Sequence, residues 1–224
     1  MFSVFKIKTL KYDKNESDFL YFLKLIPPGT AIFDIGANIG IMTVYLAKQF
    51  NDSQVYSFEP MPDNLKALKR VLQYFKLKNV TIIECALGTE NGQLEMVMPV
   101  RNNVKFQGLS HAVHESITEN NEGVRFTVPM KSLDGIPEFK NMKQPLGAIK
   151  IDVENFEYFV LKGGEQLLRT YKPIVYAELW DTENRTNCFE MMKDIGYEIK
   201  ILDKDKLIDF DAAKHSKQNF FFVC

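Results

Sequence analysis

Apolar positions along the chain switch between two periods in regular alternation. Ala31 to Ile35 (AIFDI) is a short apolar run stopped by glycine, which predicts a buried strand. Ile39 to Phe50 then carries apolar residues at helical spacing. Gln54 to Phe58 is rich in β-formers again, and Pro62 to Phe75 places Leu65, Leu68, Leu72 and Phe75 three and four apart, an amphipathic helix. Val80 to Glu84 is a third strand. A leading helix is expected over Asn15 to Leu25, ended by Pro27-Pro28-Gly29.

The rhythm breaks after this point. Leu94 to Val100 and Val124 to Met130 read as strands around a polar, Asn-rich stretch, Arg101 to Gly123. This predicts a hairpin-like excursion with a mobile loop, since loops of such length are usually lids or binding loops. After Pro145 the first rhythm resumes: a strand over Gly147 to Val153, a helix over Phe156 to Thr170, a strand over Ile174 to Leu179 and a helix over Glu183 to Ile195. Tyr197 to Leu202 and Asn219 to Cys224 are closing strands joined by a charged connection. Strands alternating with helices imply βαβ units and a mostly parallel sheet. We expect one domain, with residues 1–30 as a helical lead and 31–224 as the core.

Composition narrows the function classes. The 224 residues carry 28 Lys and Arg against 29 Asp and Glu, a formal charge of −1. A charge so near zero argues against strong non-specific binding to nucleic acid or an anionic membrane, which feeds on neutralised phosphates. The longest stretch without Asp, Glu, Lys or Arg is Ile35 to Ala47, 13 residues, and a membrane span needs about 18. Lysines scattered through the first apolar residues do not suit a secretory signal. Cys85, Cys188 and Cys224 are odd in number and lack metal-like spacing, which suits reduced thiols in a cytoplasmic protein.

Candidate chemistry concentrates at the end of the first strand, in Phe33-Asp34-Ile35-Gly36-Ala37-Asn38-Ile39-Gly40. Glycines there permit a sharp turn and close approach of a ligand, and the helix that follows offers free N–H groups. Glu59 follows the second strand, 19 residues past Gly40, where a carboxylate accepts from both hydroxyls of a ribose. A dinucleotide site needs G-x-G-x-x-G so that its pyrophosphate lies on the helix start. Here the spacing is G-x-x-x-G, and the Asp34 carboxylate would repel a pyrophosphate while attracting the ammonium and sulfonium of S-adenosylmethionine. The pattern favours that ligand over NAD. The plain alternative is that both glycines merely close a tight turn and Glu59 is a solvated strand end.

The segments FDIGANIG, SFEPMPDNLKAL, ECALG, KSLD and IKIDVENFEYFVLKGGEQLL, in this order from about Ile32 to Leu179, resemble the FkbM-type S-adenosylmethionine-dependent methyltransferases. The resemblance implies an α/β class I methyltransferase fold: a Rossmann-like, seven-stranded, mostly parallel sheet with an antiparallel last strand, helices on both faces, and here an insertion around 90–130. It implies methylation of hydroxyl oxygens on sugars, glycan precursors or small metabolites. By position, Asp34, Gly36, Asn38 and Gly40 match the first cofactor motif, Glu59 with Pro60 the ribose-binding acid, and Cys85-Ala86-Leu87 the adenine segment. Asp152 and Glu154 match the acidic pair after the fourth strand. The family usually has Gly after that pair, where this chain has Asn155, a residue that tolerates left-handed backbone.

A sugar hydroxyl is a poor nucleophile and profits from a general base. Asp152 is the first candidate for base or acceptor-orienting group, with holding the methionine end of the cofactor as its other role. Glu154 is the second. Helix capping is the structural alternative for both. His111, beside Ser110 in the long loop, is a third candidate, because imidazole titrates near neutrality. Asp152, Glu178 and Asp181 offer hard oxygens, yet no spacing demands a metal, and none is expected. A cofactor-binding module without turnover and an NAD-dependent oxidoreductase are the competing readings.

Overall fold

The computed structural model describes residues 2–101, 104–117, 122–140 and 142–224. It begins with helices α1 (Phe2–Thr9) and α2 (Ser17–Leu25), then β1 (Ala31–Ile35), α3 (Ile41–Gln49), β2 (Val55–Phe58), α4 (Pro62–Phe75) and β3 (Val80–Ile83). Next come β4 (Ala86–Leu87), β5 (Gly92–Arg101), β6 (Val104–Lys105), β7 (His111–Ala112) and β8 (Gly123–Lys131). The chain continues through β9 (Leu146–Ile151), α5 (Glu157–Lys162), α6 (Glu165–Tyr171), β10 (Ile174–Glu178) and α7 (Glu183–Ile195). It ends with β11 (Glu198–Asp203), β12 (Lys206–Asp209) and β13 (Asn219–Val223).

β1 and β9 lie side by side at the centre and are buried at every position, which is why both are nearly continuous apolar runs. The main sheet has the order β12-β11-β13-β10-β9-β1-β2-β3. β1 is parallel to β2 and β9, and β9 to β10, while β13 runs antiparallel to both β10 and β11. The expected reversed strand is therefore present. The sheet has eight strands rather than seven, because part of the charged connection forms β12, a hairpin partner of β11. Charged residues suit that position, since an edge strand faces water.

One predicted helix is two. Phe156 to Thr170 breaks between α5 and α6 at Gly163 and Gly164. A Cβ on Gly163 would lie 1.9 Å from the carbonyl oxygen of Gly88, so the backbone there is pressed against the insertion. The second piece starts afresh because Asp134 accepts from the N–H groups of Gln166 (2.9 Å) and Leu167 (3.0 Å), as an N-cap does.

The excursion after β3 is larger than a hairpin. β5 and β8 pair antiparallel from Gly92–Met130 to Pro99–Gly123, and β4, β6 and β7 add to them. Within the Asn-rich stretch the expected mobile loop falls partly on residues 102, 103 and 118–121, which lie outside the described residues. Among the described residues no helix is long and apolar enough to cross a membrane.

Candidate active site

β1 delivers its turn at the carboxyl end of the sheet, where open α/β sheets bind ligands. The N–H groups of Gly36 and Ala37 both donate to the Phe58 carbonyl (3.1 and 2.9 Å), pinning the turn to β2. Gly36 has φ +74° and is packed so closely that a Cβ would meet the Asp152 carbonyl oxygen at 1.8 Å. Glycine is needed here twice over, for the backbone angle and for the approach of β9. Asn38, also left-handed at φ +50°, aims its N–H at Glu59 Oε2, 2.8 Å away.

Glu59 is 4 % exposed. Its Oε1 accepts from Met61 N–H (2.8 Å) and from Asn64 Nδ2 (3.2 Å). Burial raises its pKa above the usual carboxylate value, although these donors pull the other way. A carboxylate has about four acceptor positions. Three donors take three, which leaves one on Oε2.

A cleft, open at its mouth, runs from this carboxylate along the strand ends. Gly36, Asn38, Glu59 and Pro60 form one wall, and Cys85, Ala86 and Leu87 the next. Asp152, Val153 and Glu154 close the far end. The insertion supplies a cover: Leu94 and Met96 from β5, then Gly108, Ser110 and Ala112. Burial pushes the Cys85 thiol up to about 11, which makes it a packing group rather than a nucleophile.

The turn after β9 is bent by two consecutive left-handed residues, Glu154 (φ +55°) and Asn155 (φ +70°). Asn155 thus keeps the backbone that glycine would provide. Thr182 Oγ1 donates to its Oδ1 (2.7 Å), and Asn184 Nδ2 to its carbonyl (2.8 Å). Glu157 Oε1 accepts from Val153 N–H (2.9 Å) and fastens the turn from below. Burial, joined by the charges of Asp152, Glu178 and Glu157, raises Glu154 to about 8, so at neutral pH it holds a proton. Burial likewise takes Glu157 to about 8 and Glu178 to about 7.

A second cavity adjoins the first. It is lined by Lys150, Asp152, Tyr176, Glu178 and Asn219 at the strand ends, by Met42 of α3, and by Asn15 and Glu16 ahead of α2. Asp152 belongs to both cavities. Between them stands Lys150, 3 % exposed. Its Nζ donates to the Gly36 carbonyl (3.1 Å) and the Ile35 carbonyl (3.4 Å), and lies 3.6 Å from Asp34 Oδ1 and 3.7 Å from Asp152 Oδ2. Burial alone would lower its pKa, but Asp152, Asp34 and Glu178 outweigh that and the net shift is upward.

Three of the expected site residues lie away from the cleft in this arrangement. Asp34 lines neither cavity. It is fully buried, accepts from Thr43 Oγ1 (2.5 Å) and is matched by Lys150 inside the protein. Gly40 is outside the cleft too: a Cβ there would meet Leu68 Cδ1 at 2.5 Å, so this glycine admits α4. His111 is buried, with Nδ1 2.9 Å from the Leu109 carbonyl oxygen. Its neighbours Ser110 and Ala112 line the cleft, and strand alternation turns His111 to the other face. Asp152, Glu154, Gly36, Asn38, Glu59, Pro60, Cys85, Ala86 and Leu87 do come together. Asp181 is ion-paired to Arg185, and among the described residues no group of three His, Cys, Asp or Glu side chains could hold a metal ion.

Sequence reasoning passed over Lys150, Asn64 and Glu157. A lysine inside the apolar run GAIKIDV was a usable signal, because a charge on a buried strand must be paired. Asn64 and Glu157 sit on ordinary helix starts and carry no such mark.

Comparison with known proteins fits this geometry. The sequence profile of the "Methyltransferase FkbM domain" matches residues 34–212. Methyltransferase 1 of Beauveria bassiana (strain ARSEF 2860) is 28 % identical over 160 residues, covering 65 % of this chain and 63 % of that protein. Methyltransferase sdnD of Sordaria araneosa is 25 % identical over 210 residues, covering 84 % and 81 %. Among solved structures, methyltransferase FkbM from Methylobacillus flagellatus KT shares the fold with a TM-score of 0.56 at 17 % identity, over 88 % of this chain and 44 % of that one. Precorrin-6y C5,15-methyltransferase from Geobacter metallireducens GS-15 gives 0.50 at 13 %, over 92 % and 84 %. The chain thus spans under two thirds of the Beauveria protein and less than half of the Methylobacillus chain. The profile match, running through the β1 turn, Glu59 and the turn after β9, shows that the chain belongs to the FkbM methyltransferase family.

Proposed function

We propose that this methyltransferase uses S-adenosylmethionine and methylates a hydroxyl oxygen of a sugar, a glycan precursor or a small metabolite. The observation that carries the reading is Glu59: a buried carboxylate, rigidly held, with one acceptor position left at the edge of a cleft. That capacity suits one strong hydrogen bond from a ribose hydroxyl rather than two. The apolar Cys85-Ala86-Leu87 wall and the cover of Leu94 and Met96 suit an adenine ring, and Asp152 places a carboxylate at the far end, where a cationic donor would carry its charge. The case against a dinucleotide rests on the G-x-x-x-G spacing and these cleft carboxylates, since Lys150 has neutralised Asp34.

S-adenosylmethionine, when bound, supplies an electrophilic methyl group. The chain's own part is mainly positioning, which removes up to about 7–11 kcal/mol of bimolecular entropy cost. We place the acceptor in the second cavity, so that Asp152 stands between donor and acceptor. There it orients the hydroxyl and takes its proton, a contribution of roughly 10²–10⁴-fold. Glu154, protonated at neutral pH, serves as a hydrogen-bond donor rather than a base. The three free thiols agree with a reducing, cytoplasmic setting.

Calorimetry with S-adenosylhomocysteine, followed by transfer of labelled methyl to a panel of saccharides and small alcohols, tests this reading. Binding with transfer to a hydroxyl acceptor supports it. Absence of binding, together with a rise in melting temperature on adding NAD, overturns it.

A further inference from the structure

The net charge of −1 averages over two unlike surfaces. Spans 2–9, 41–49 and 62–78, which form α1, α3, α4 and the turn behind α4, hold eight cations and a single acid, Asp63. These elements share one side of the sheet: Ile7 of α1, Val44 of α3 and Val71 of α4 form one buried cluster, with Phe75 packed against it. The Tyr45 hydroxyl donates to the Ile7 carbonyl (2.7 Å) and ties α1 down. Lys6, Lys66 and Lys69 are paired with Asp13, Asp63 and Glu84. Lys8, Lys48, Arg70, Lys76 and Lys78 are exposed and make no ion pair among the described residues. The same elements expose aromatic rings: Phe5 is 68 % exposed and Tyr74 59 %, and Lys48 lies 4.0 Å over the Phe75 ring.

We propose that this helical face docks on an anionic lipid surface. Lysines attract a headgroup layer through their summed field, without needing fixed geometry. Exposed Phe and Tyr sink their apolar bodies to the level of the headgroups while the ammonium groups stay in water. Seven of the eight cations are lysine, whereas nucleic-acid readout leans on the bidentate fork of arginine. Both cavities open at the strand ends, so docking through this face leaves them accessible. The proposal is independent of which cofactor or acceptor the cleft takes.

The test is co-sedimentation of the purified chain with phosphatidylcholine vesicles with and without phosphatidylserine, at low and high salt. Binding should require phosphatidylserine and fall steeply with salt. A Lys8→Gln, Arg70→Gln, Lys78→Gln variant should bind at least about tenfold more weakly. Its melting temperature should be unchanged, because none of the three side chains makes an ion pair among the described residues. Phe5→Ser with Tyr74→Ser should remove the part of binding that survives salt. Equal binding to both vesicle types overturns the proposal, as does tighter binding to single-stranded RNA than to the anionic vesicles at the same salt.

Discussion

A single ammonium joins the two lips of the cleft. Lys150 reaches from β9 to the carbonyls of the β1 turn and to carboxylates on either side. Removing one partner of a buried ion pair strands the other charge, at a cost of about 3–5 kcal/mol. Lys150→Met should therefore destabilise by about that much in urea melts, and Asp34→Asn in the same chain should restore part of the loss. Strict additivity of the two changes would show that the pair is not coupled. Glu59 makes the complementary case on the ligand side. Glu59→Gln keeps the shape but loses the charge, and the bond it offers is worth about 1.5–3 kcal/mol. Calorimetry should show S-adenosylhomocysteine binding weakened about ten- to hundredfold, and an unchanged affinity would remove Glu59 from the site.

At the level of elements, the boundary between α5 and α6 shows how tertiary contact overrides helical period. The spacing from Phe156 to Thr170 satisfies one helix, yet Gly163 lies against Gly88 and the chain must restart under the Asp134 cap. Gly163→Ala should cost about 3 kcal/mol by overpacking. Gly92→Ala, in open space within the same insertion, should stay within about 0.5 kcal/mol. Thermal melts of the two variants make a direct comparison, and equal effects would contradict the packing argument. Elements with no such conflict were readable in advance. α7 occupies Glu183–Ile195, and β1 occupies Ala31–Ile35, both as their patterns predict.

For the whole molecule, carboxyl groups raised by burial, and further by the neighbouring carboxylates, set the pH response. Glu154 and Glu157 rise from 4.5 to about 8, and Glu178 to about 7. Between pH 4.5 and 8 the folded chain thus holds more protons than the unfolded chain. Its stability from these groups is complete below pH 4.5 and is lost as pH rises through 7 and 8. The melting temperature of the unliganded protein should fall from pH 5 to pH 8, and Glu157→Gln should flatten the slope. A melting temperature that climbs over this range would refute the assignment. The charge asymmetry between the helical face and the rest of the surface belongs to the same scale, invisible in a net charge of −1.

Sequence alone settled what local chemistry settles. Apolar runs beside glycine marked the central strands, and the backbone freedom of Gly36 and Asn155 was readable because only a few residues accept a left-handed turn. The acids at Glu59, Asp152 and Glu154 were readable because they end predicted strands, and a parallel sheet gathers such ends at one edge. What the sequence could not state is which way a side chain leaves its strand and what faces it there. Asp34 looks like a ligand-binding acid until Lys150 is found beside it, 116 positions further along the chain. His111 looks like a base until the pairing of β7 with β5 turns it away from the cleft. The basic face exists only because α1 packs onto α3 and α4. Partners distant in sequence decide the environment of a charge, and it is the environment that gives the charge its role.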